Sequence, residues 1–286
     1  MITTYALSKR FRHTAVVDNV DLQVPVGAIY ALTGPNGAGK TTLLKLILGL
    51  MPPTSGSVSL GGVGLARIGF VSEGMQLPEN MTIVEFLAYL APFYATWDRA
   101  LAESLLAGLQ LPVDRQLRHL SRGMKMKVQL VASLAYRPKL LIMDEPFSGL
   151  DSLVRDEVIQ TMLEMADQMT VFISSHDLAE MESFATHVGY LDSGRLRFSE
   201  ELPGLQGRFR EVEVTLAEPA GLAGLPTTAI AAAAMGPVLR YIEGAFDPER
   251  TYATLRERYP NARQIDINPL PLRSIFVALA REGRRS

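Results

Sequence analysis

The stretch GPNGAGKT at 34–41 constrains this chain more than any other, because it dictates what must stand on either side of it. It matches GxxxxGK[ST] at every specified position. Before it runs AIYALTG (28–34), a short apolar segment ending in glycine, as a buried parallel strand does. After it, TTLLKLILGL has helical spacing and stops at Pro52-Pro53. Strand, glycine-rich loop and helix in that order form a phosphate cradle, since the glycines let the chain curl until successive N–H groups point inward at phosphate oxygens. The cradle comprises Gly34, Pro35, Asn36, Gly37, Ala38, Gly39, Lys40, Thr41 and Thr42. Lys40 brings a positive charge to the β- and γ-phosphates, and the Thr41 hydroxyl suits Mg²⁺.

The 286 residues suffice for one large domain, or for one of about 200 residues plus a small one. With 48% hydrophobic and 20% charged residues the chain buries a substantial core. A net charge of −2 gives no reason to expect a nucleic-acid partner. The absence of cysteine excludes disulfides and thiolate metal sites and fits a reducing compartment. MITTYALSKRFRHT lacks the apolar region of a signal peptide. AGLAGLPTTAIAAAAMGPVL (220–239) is uncharged over a bilayer-spanning length, but its glycines and prolines make it a loop plus a short buried element. The chain is expected to be soluble by itself.

Short strands and helical patterns then alternate. VDNVDLQVPVG reads as antiparallel strand, VSLGG and IGFVS as short strands, and about 75–138 as a largely helical insertion. LLIMD (140–144) and TVFISS (170–175) return to strand, with a helix over SLVRDEVIQTMLEMADQM between them; HVGYLDSGRLRF is a hairpin. LPGLQG (202–207) reads as a linker, followed by strands at REVEVTL, VLRYIEGA and RQIDIN and helices at PERTYATLRERY and RSIFVALARE. The expected class is therefore α/β with parallel strands, an antiparallel β region and a helical subdomain in 1–207, and a small α+β domain at 208–286.

Two further stretches carry chemistry. LLIMDE (140–145) is an apolar strand ending in two carboxylates: Asp144 would hold Mg²⁺, usually through water, and Glu145 would act as general base on an attacking water. LSRGM (120–124) enters a helix through Ser121, a good N-cap whose backbone N–H groups can bind an anion.

In the order GPNGAGKT, LSRGM, LLIMDEP, SGLD and SSH, roughly residues 1–205 resemble the ATP-binding subunits of ABC transporters. The resemblance implies a P-loop NTPase core that binds ATP with Mg²⁺ and hydrolyses it. It also implies two ATPase domains packed head to tail, as a homodimer or with a second ABC ATPase, so that Ser121 and Gly123 grip an ATP held by the other copy. Asp151 in SGLD would cross that interface, and His176 in SSH would contact the γ-phosphate. Phe11 in SKRF is the choice for the aromatic that stacks on adenine, with Tyr5 the nearby competitor. The chain departs from the family in two motifs: Arg122 and Met124 stand in a signature that is commonly LSGGQ, and Glu73 stands about where a metal-ligating glutamine is usual, with Gln76 its rival.

Family members of this kind serve a membrane permease. The resemblance implies a bacterial exporter ATPase that is cytoplasmic and peripheral on the inner face of the cell membrane, receiving a permease helix in a groove whose apolar candidates are Met75, Phe86, Tyr89, Tyr94 and Trp97. Most residues at such spacing are core, so only a few of these are expected to touch the partner. A soluble ABC ATPase and a slow-hydrolysing regulatory module are the competing readings. The first would be expected to show long coiled-coil insertions, a second cassette or a basic patch, none of which the sequence has.

Overall fold

Antiparallel strands β1 (Ile2–Phe11) and β2 (Thr14–Val24) open the chain. In β2 the residues Val20, Leu22 and Val24 are buried in strict alternation, but Val17 falls out of step with them. The change of parity occurs at Asn19, whose φ of 52° marks the extra residue of a β-bulge facing the Leu7–Lys9 segment. The apolar run β3 (Ile29–Thr33) is buried at every position, and α1 (Lys40–Ile47) follows the phosphate loop. β4 (Ser55–Ser59) then joins the free edge of β1, giving a three-stranded sheet ordered β2-β1-β4.

The helical segment begins after β5 (Ile68–Ser72) and contains α2 (Ile83–Leu90), α3 (Arg99–Gly108) and α4 (Arg122–Leu134). Each helix has a side-chain cap. Thr82 and Glu85 form a reciprocal capping box on α2, Asp98 caps α3 and Ser121 caps α4. Their apolar faces meet in one cluster around Ile83, Leu117, Val128 and Val131. Of the five residues expected to receive a partner helix, Phe86 is buried in this cluster, Trp97 packs against it, and Tyr94 stacks on Tyr136 with centroids 3.9 Å apart. Tyr89 is exposed and meets Phe93 edge to face; Met75 lines a small cavity beside α4.

The main sheet is completed by β6 (Leu140–Asp144), β7 (Thr170–Ser175), β8 (His187–Asp192) and β9 (Arg195–Glu201), in the order β5-β6-β7-β3-β8-β9. The pairs β5–β6, β6–β7, β7–β3 and β3–β8 are parallel. Helix α5 (Ser152–Ala166) lies between β6 and β7 in the chain. The sheet packs around Tyr30, which is fully buried, stacks on Phe172 at 5.2 Å and shares a 2.7 Å hydrogen bond between its hydroxyl and Ser199. Burial of each such side chain contributes about 1.5–3 kcal/mol.

This computed structural model describes residues 1–219, 221–222 and 225–282. It divides into one unit of Met1–Asp177 with Phe184–Ser199, and a second of Leu178–Ser183 with the residues from Glu200 onward. The second unit contains α6 (Leu178–Glu182), α7 (Leu202–Arg208), β10 (Arg210–Thr215), β11 (Ala229–Met235), β12 (Val238–Glu243), α8 (Pro248–Arg258), β13 (Gln264–Pro269) and α9 (Leu272–Glu282). Its strands form an antiparallel sheet ordered β11-β12-β10-β13. Two expectations change here. The supposed linker 202–207 is helix α7, because Pro203 suits a first turn and Leu202 and Leu205 are buried. The short buried element expected within 220–239 is β11, which is half-exposed because it pairs only with β12 at the sheet edge; Ala220, Ala223 and Gly224 of that stretch lie outside the described residues. Among the described residues no helix is long and apolar enough to cross a membrane.

Candidate functional site

Parallel register gathers the chemistry at one edge of the main sheet. Thr33 pairs with Ser175, Asp144 with Ser174 and Ser72 with Asp144, so the carboxyl ends of β3, β5, β6 and β7 lie together. That edge is where α/β sheets bind ligands. The phosphate loop leaves β3 here and tolerates no side chain at two points. A Cβ on Gly34 (φ 156°) would lie 2.0 Å from the Leu191 carbonyl oxygen, and one on Gly39 (φ 104°) 2.4 Å from that of Val16. Only glycine lets the loop curl this tightly against its neighbours.

The loop borders a cavity of about 390 Å³ whose wall includes Asn36, Gly37, Ala38, Gly39, Lys40, Thr41 and Thr42. Glu73, Glu145 and His176 share that wall, as do Val16 and Ser148. Lys40 is buried; its Nζ donates to the Gly34 carbonyl at 2.7 Å and the Pro35 carbonyl at 3.4 Å. The same ammonium pairs with Glu145 Oε1 at 3.2 Å. Glu145 Oε2 lies 2.7 Å from His176 Nδ1 and accepts the His176 backbone N–H at 3.3 Å. Cation, carboxylate and imidazole thus form one chain at the mouth of the loop.

Glu145 adopts φ 49°, a left-handed conformation that costs a non-glycine residue about 1–3 kcal/mol. Ser174 holds it there. The Glu145 N–H donates to the Ser174 carbonyl and to its Oγ, both at 3.1 Å, while that Oγ donates to Asp144 Oδ1 at 2.6 Å. One fully buried hydroxyl therefore fixes the Asp144 carboxylate and the Glu145 backbone together. Ser174, Val16 and Ser148 escaped the sequence reading. The first serine of SSH was a visible signal for Ser174, whereas nothing in the sequence pointed to Val16.

Asp144 is buried below the wall, and Gly34 and Pro35 present their carbonyls to Lys40. Of the two rivals near the hinge, Glu73 reaches the cavity wall, whereas exposed Gln76 does not line it. Phe11 and Tyr5 are both exposed and do not line the cavity. The hairpin register Phe11↔Thr14 nevertheless sets Phe11 near Val16, and the Lys9 ammonium sits 5.4 Å over its ring. Ser121, Gly123 and Asp151 stand apart from the cavity. Ser121 Oγ accepts the Met124 N–H as cap of α4, and Asp151 Oδ1 accepts the Val154 N–H as cap of α5. Gly123 is needed for the contact between these helices, since a Cβ there would lie 2.9 Å from Val154 Cγ1.

These residues fit a nucleotide bound with Mg²⁺. Among the described residues no cluster of three or more acidic, His or Cys side chains is placed to hold a metal. Thr41 and Asp144, with water and phosphate oxygens, would make the oxygen-rich, partly hydrated set that Mg²⁺ prefers.

The sequence pattern of the ABC transporter family matches residues 17–148. The lantibiotic transport ATP-binding protein SrtF of Streptococcus pyogenes is 32% identical over 211 residues, which cover 71% of this chain and 92% of that protein. The Nod factor export ATP-binding protein I of Cupriavidus metallidurans is 33% identical over 201 residues, 65% of this chain and 66% of that one. Among solved structures, an ATP-binding subunit of an ABC transporter superposes with a TM-score of 0.66 at 30% identity, covering 72% of this chain and 92% of that chain. With the complete phosphate loop, the DE carboxylates and the histidine gathered at one sheet edge, the chain belongs to the ATP-binding subunits of ABC transporters and is an ABC ATPase.

Proposed function

We propose that this chain is the ATP-hydrolysing subunit of an export system, pairing head to tail with a second copy when ATP binds and driving a separately encoded permease from the cytoplasmic face of the membrane. The observation that carries the reading is the chain Lys40–Glu145–His176 at the phosphate loop: a buried cation for the phosphates joined to a carboxylate that a histidine orients. The loop N–H groups and Lys40 hold the β- and γ-phosphates. Mg²⁺, held by Thr41 and through water by Asp144, would neutralise charge on the phosphate oxygens. Glu145 takes a proton from the attacking water as the oxygen–phosphorus bond forms and the bond to ADP breaks; His176 holds the carboxylate in place and faces the departing phosphate. Phe11 is proposed to stack on adenine.

The second half of the site is proposed to come from the other copy. Ser121, Gly123 and Asp151 lie off their own cavity, which leaves them for a neighbour's nucleotide. Export is supported by the name of the Nod factor relative and by the resemblance to exporter ATPases. The test is to tag the protein in its own cell, extract membranes in mild detergent and identify what co-purifies. A stoichiometric multi-span membrane protein is the expected result. Recovery from the soluble fraction alone overturns the permease reading in favour of a soluble ABC ATPase.

A further inference from the structure

Two of the positions where the motifs depart from the family pattern, 73 and 122, touch. The Arg122 guanidinium forms an ion pair with the Glu73 carboxylate, although 48 residues lie between them in sequence and they belong to different motifs. Its Nη2 also lies 3.4 Å from Ser148 Oγ, in the loop that carries SGLD. A Cβ on Gly149 (φ 65°) would come within 2.6 Å of Arg122 Nη1, so the guanidinium lies directly against that loop. One side chain thus joins three segments: the hinge loop after β5, the first turn of α4 and the loop before α5.

The local electrostatics explain why Glu73 is drawn to it. The first turn of α4 carries Arg122 and Lys125 and no acidic residue, at the end of the helix where the backbone dipole is already positive. A helix start of that kind needs a carboxylate, and Glu73 supplies one from another element. Glu73, Arg122 and Lys125 line the same cavity of about 240 Å³, and Glu73 is also on the wall of the phosphate-loop cavity. Its carboxylate therefore has two possible destinations, the cationic end of α4 or the nucleotide pocket.

We propose that Arg122 is a positioning residue for Glu73: it draws the carboxylate toward the start of α4 rather than into the phosphate-loop cavity and ties the hinge loop to that helix, so that the two departures compensate each other. An unpaired Glu73 beside a triphosphate would repel it; paired with Arg122 it does not. The inference rests on the nucleotide reading only for its effect on ATP. The tie itself exists without ligand.

The test has two readouts on Arg122→Ala, Glu73→Gln, the double variant and the exchanged pair Glu73→Arg with Arg122→Glu. The first is hydrogen exchange of residues 72–76 without nucleotide, where the Met75 and Gly74 N–H groups bond to Ser72. Each single change is expected to speed exchange there about threefold, the yield of an exposed ion pair. The double variant should add nothing further, and the exchanged pair should recover protection. The second readout is binding of a fluorescent ATP analogue in EDTA. Arg122→Ala should weaken it severalfold and the double variant should recover it, because no lone carboxylate then remains. Additive single effects, or unchanged exchange in Arg122→Ala, would overturn the proposal. Exchange coupling without nucleotide binding in the wild-type protein would leave the tie standing, refute its effect on ATP and sink the ATPase reading instead.

Discussion

The phosphate-loop corner and the start of α4 are both cationic and both suited to anions, yet they are assembled in opposite ways. At the first, contiguous residues build the site: Gly34 to Thr42 form the loop, and parallel register delivers Asp144, Glu145 and His176 to it. Its cation is already matched, with Lys40 bonded to two carbonyls and Glu145. At the second, Ser121 serves its own helix as a cap, and the positive charge of Arg122 is answered from a distant loop by Glu73. A local motif thus supplies the frame of the first corner, to which strand register adds Glu145 and His176, while the second draws even its charge partner from a separate loop.

Glu145→Gln probes the first corner most severely. It keeps the shape but removes the proton acceptor, and ATP turnover should fall about 10³-fold while nucleotide binding persists. Equal, negligible turnover in both proteins would return this corner to a binding role. Gly34→Ala attacks the same corner through the backbone. Its Cβ would meet the Leu191 carbonyl, and denaturant unfolding should register a loss of about 1–3 kcal/mol with nucleotide binding abolished. Ser121→Ala tests the second corner and should cost about 1 kcal/mol from the lost cap. If Ser121 also serves a neighbour's nucleotide, ATP-induced dimerisation measured by gel filtration will weaken well beyond what the stability loss explains.

Asp98→Ala calibrates that last effect, because Asp98 is a cap with no place in the site. Hydrogen bonding to the Leu101 N–H, and then to Arg137, holds its carboxyl below the ordinary 3.8. A folded value below the unfolded one contributes stability above about pH 3.8 and loses it as pH falls through the folded value. The melting temperature of Asp98→Ala should therefore lie slightly below that of the wild type at pH 7, and the gap should close on acidification below the carboxylate range.

Sequence by itself determined the phosphate loop, the DE pair, the order of motifs and the alternation of strand and helix, because those depend on neighbours a few residues apart: glycines that permit a turn, apolar runs that must be buried, caps that start a helix. It misread 202–207, where a Pro-Gly pair suggested a linker but buried Leu202 and Leu205 support a helix. Of its five apolar candidates for a docking groove, of which it expected only a few to touch a partner, Phe86 and Trp97 belong to the helical core; periodicity cannot tell a face packed inward from one left open. Tertiary structure alone decided that Ser174 ties the Asp144 carboxylate to the Glu145 backbone, that Val16 and Ser148 border the cavity, and that Glu73 meets Arg122. The Ser174 and Glu73–Arg122 contacts join residues 29 or more apart in sequence, and only strand register and helix packing bring them within reach.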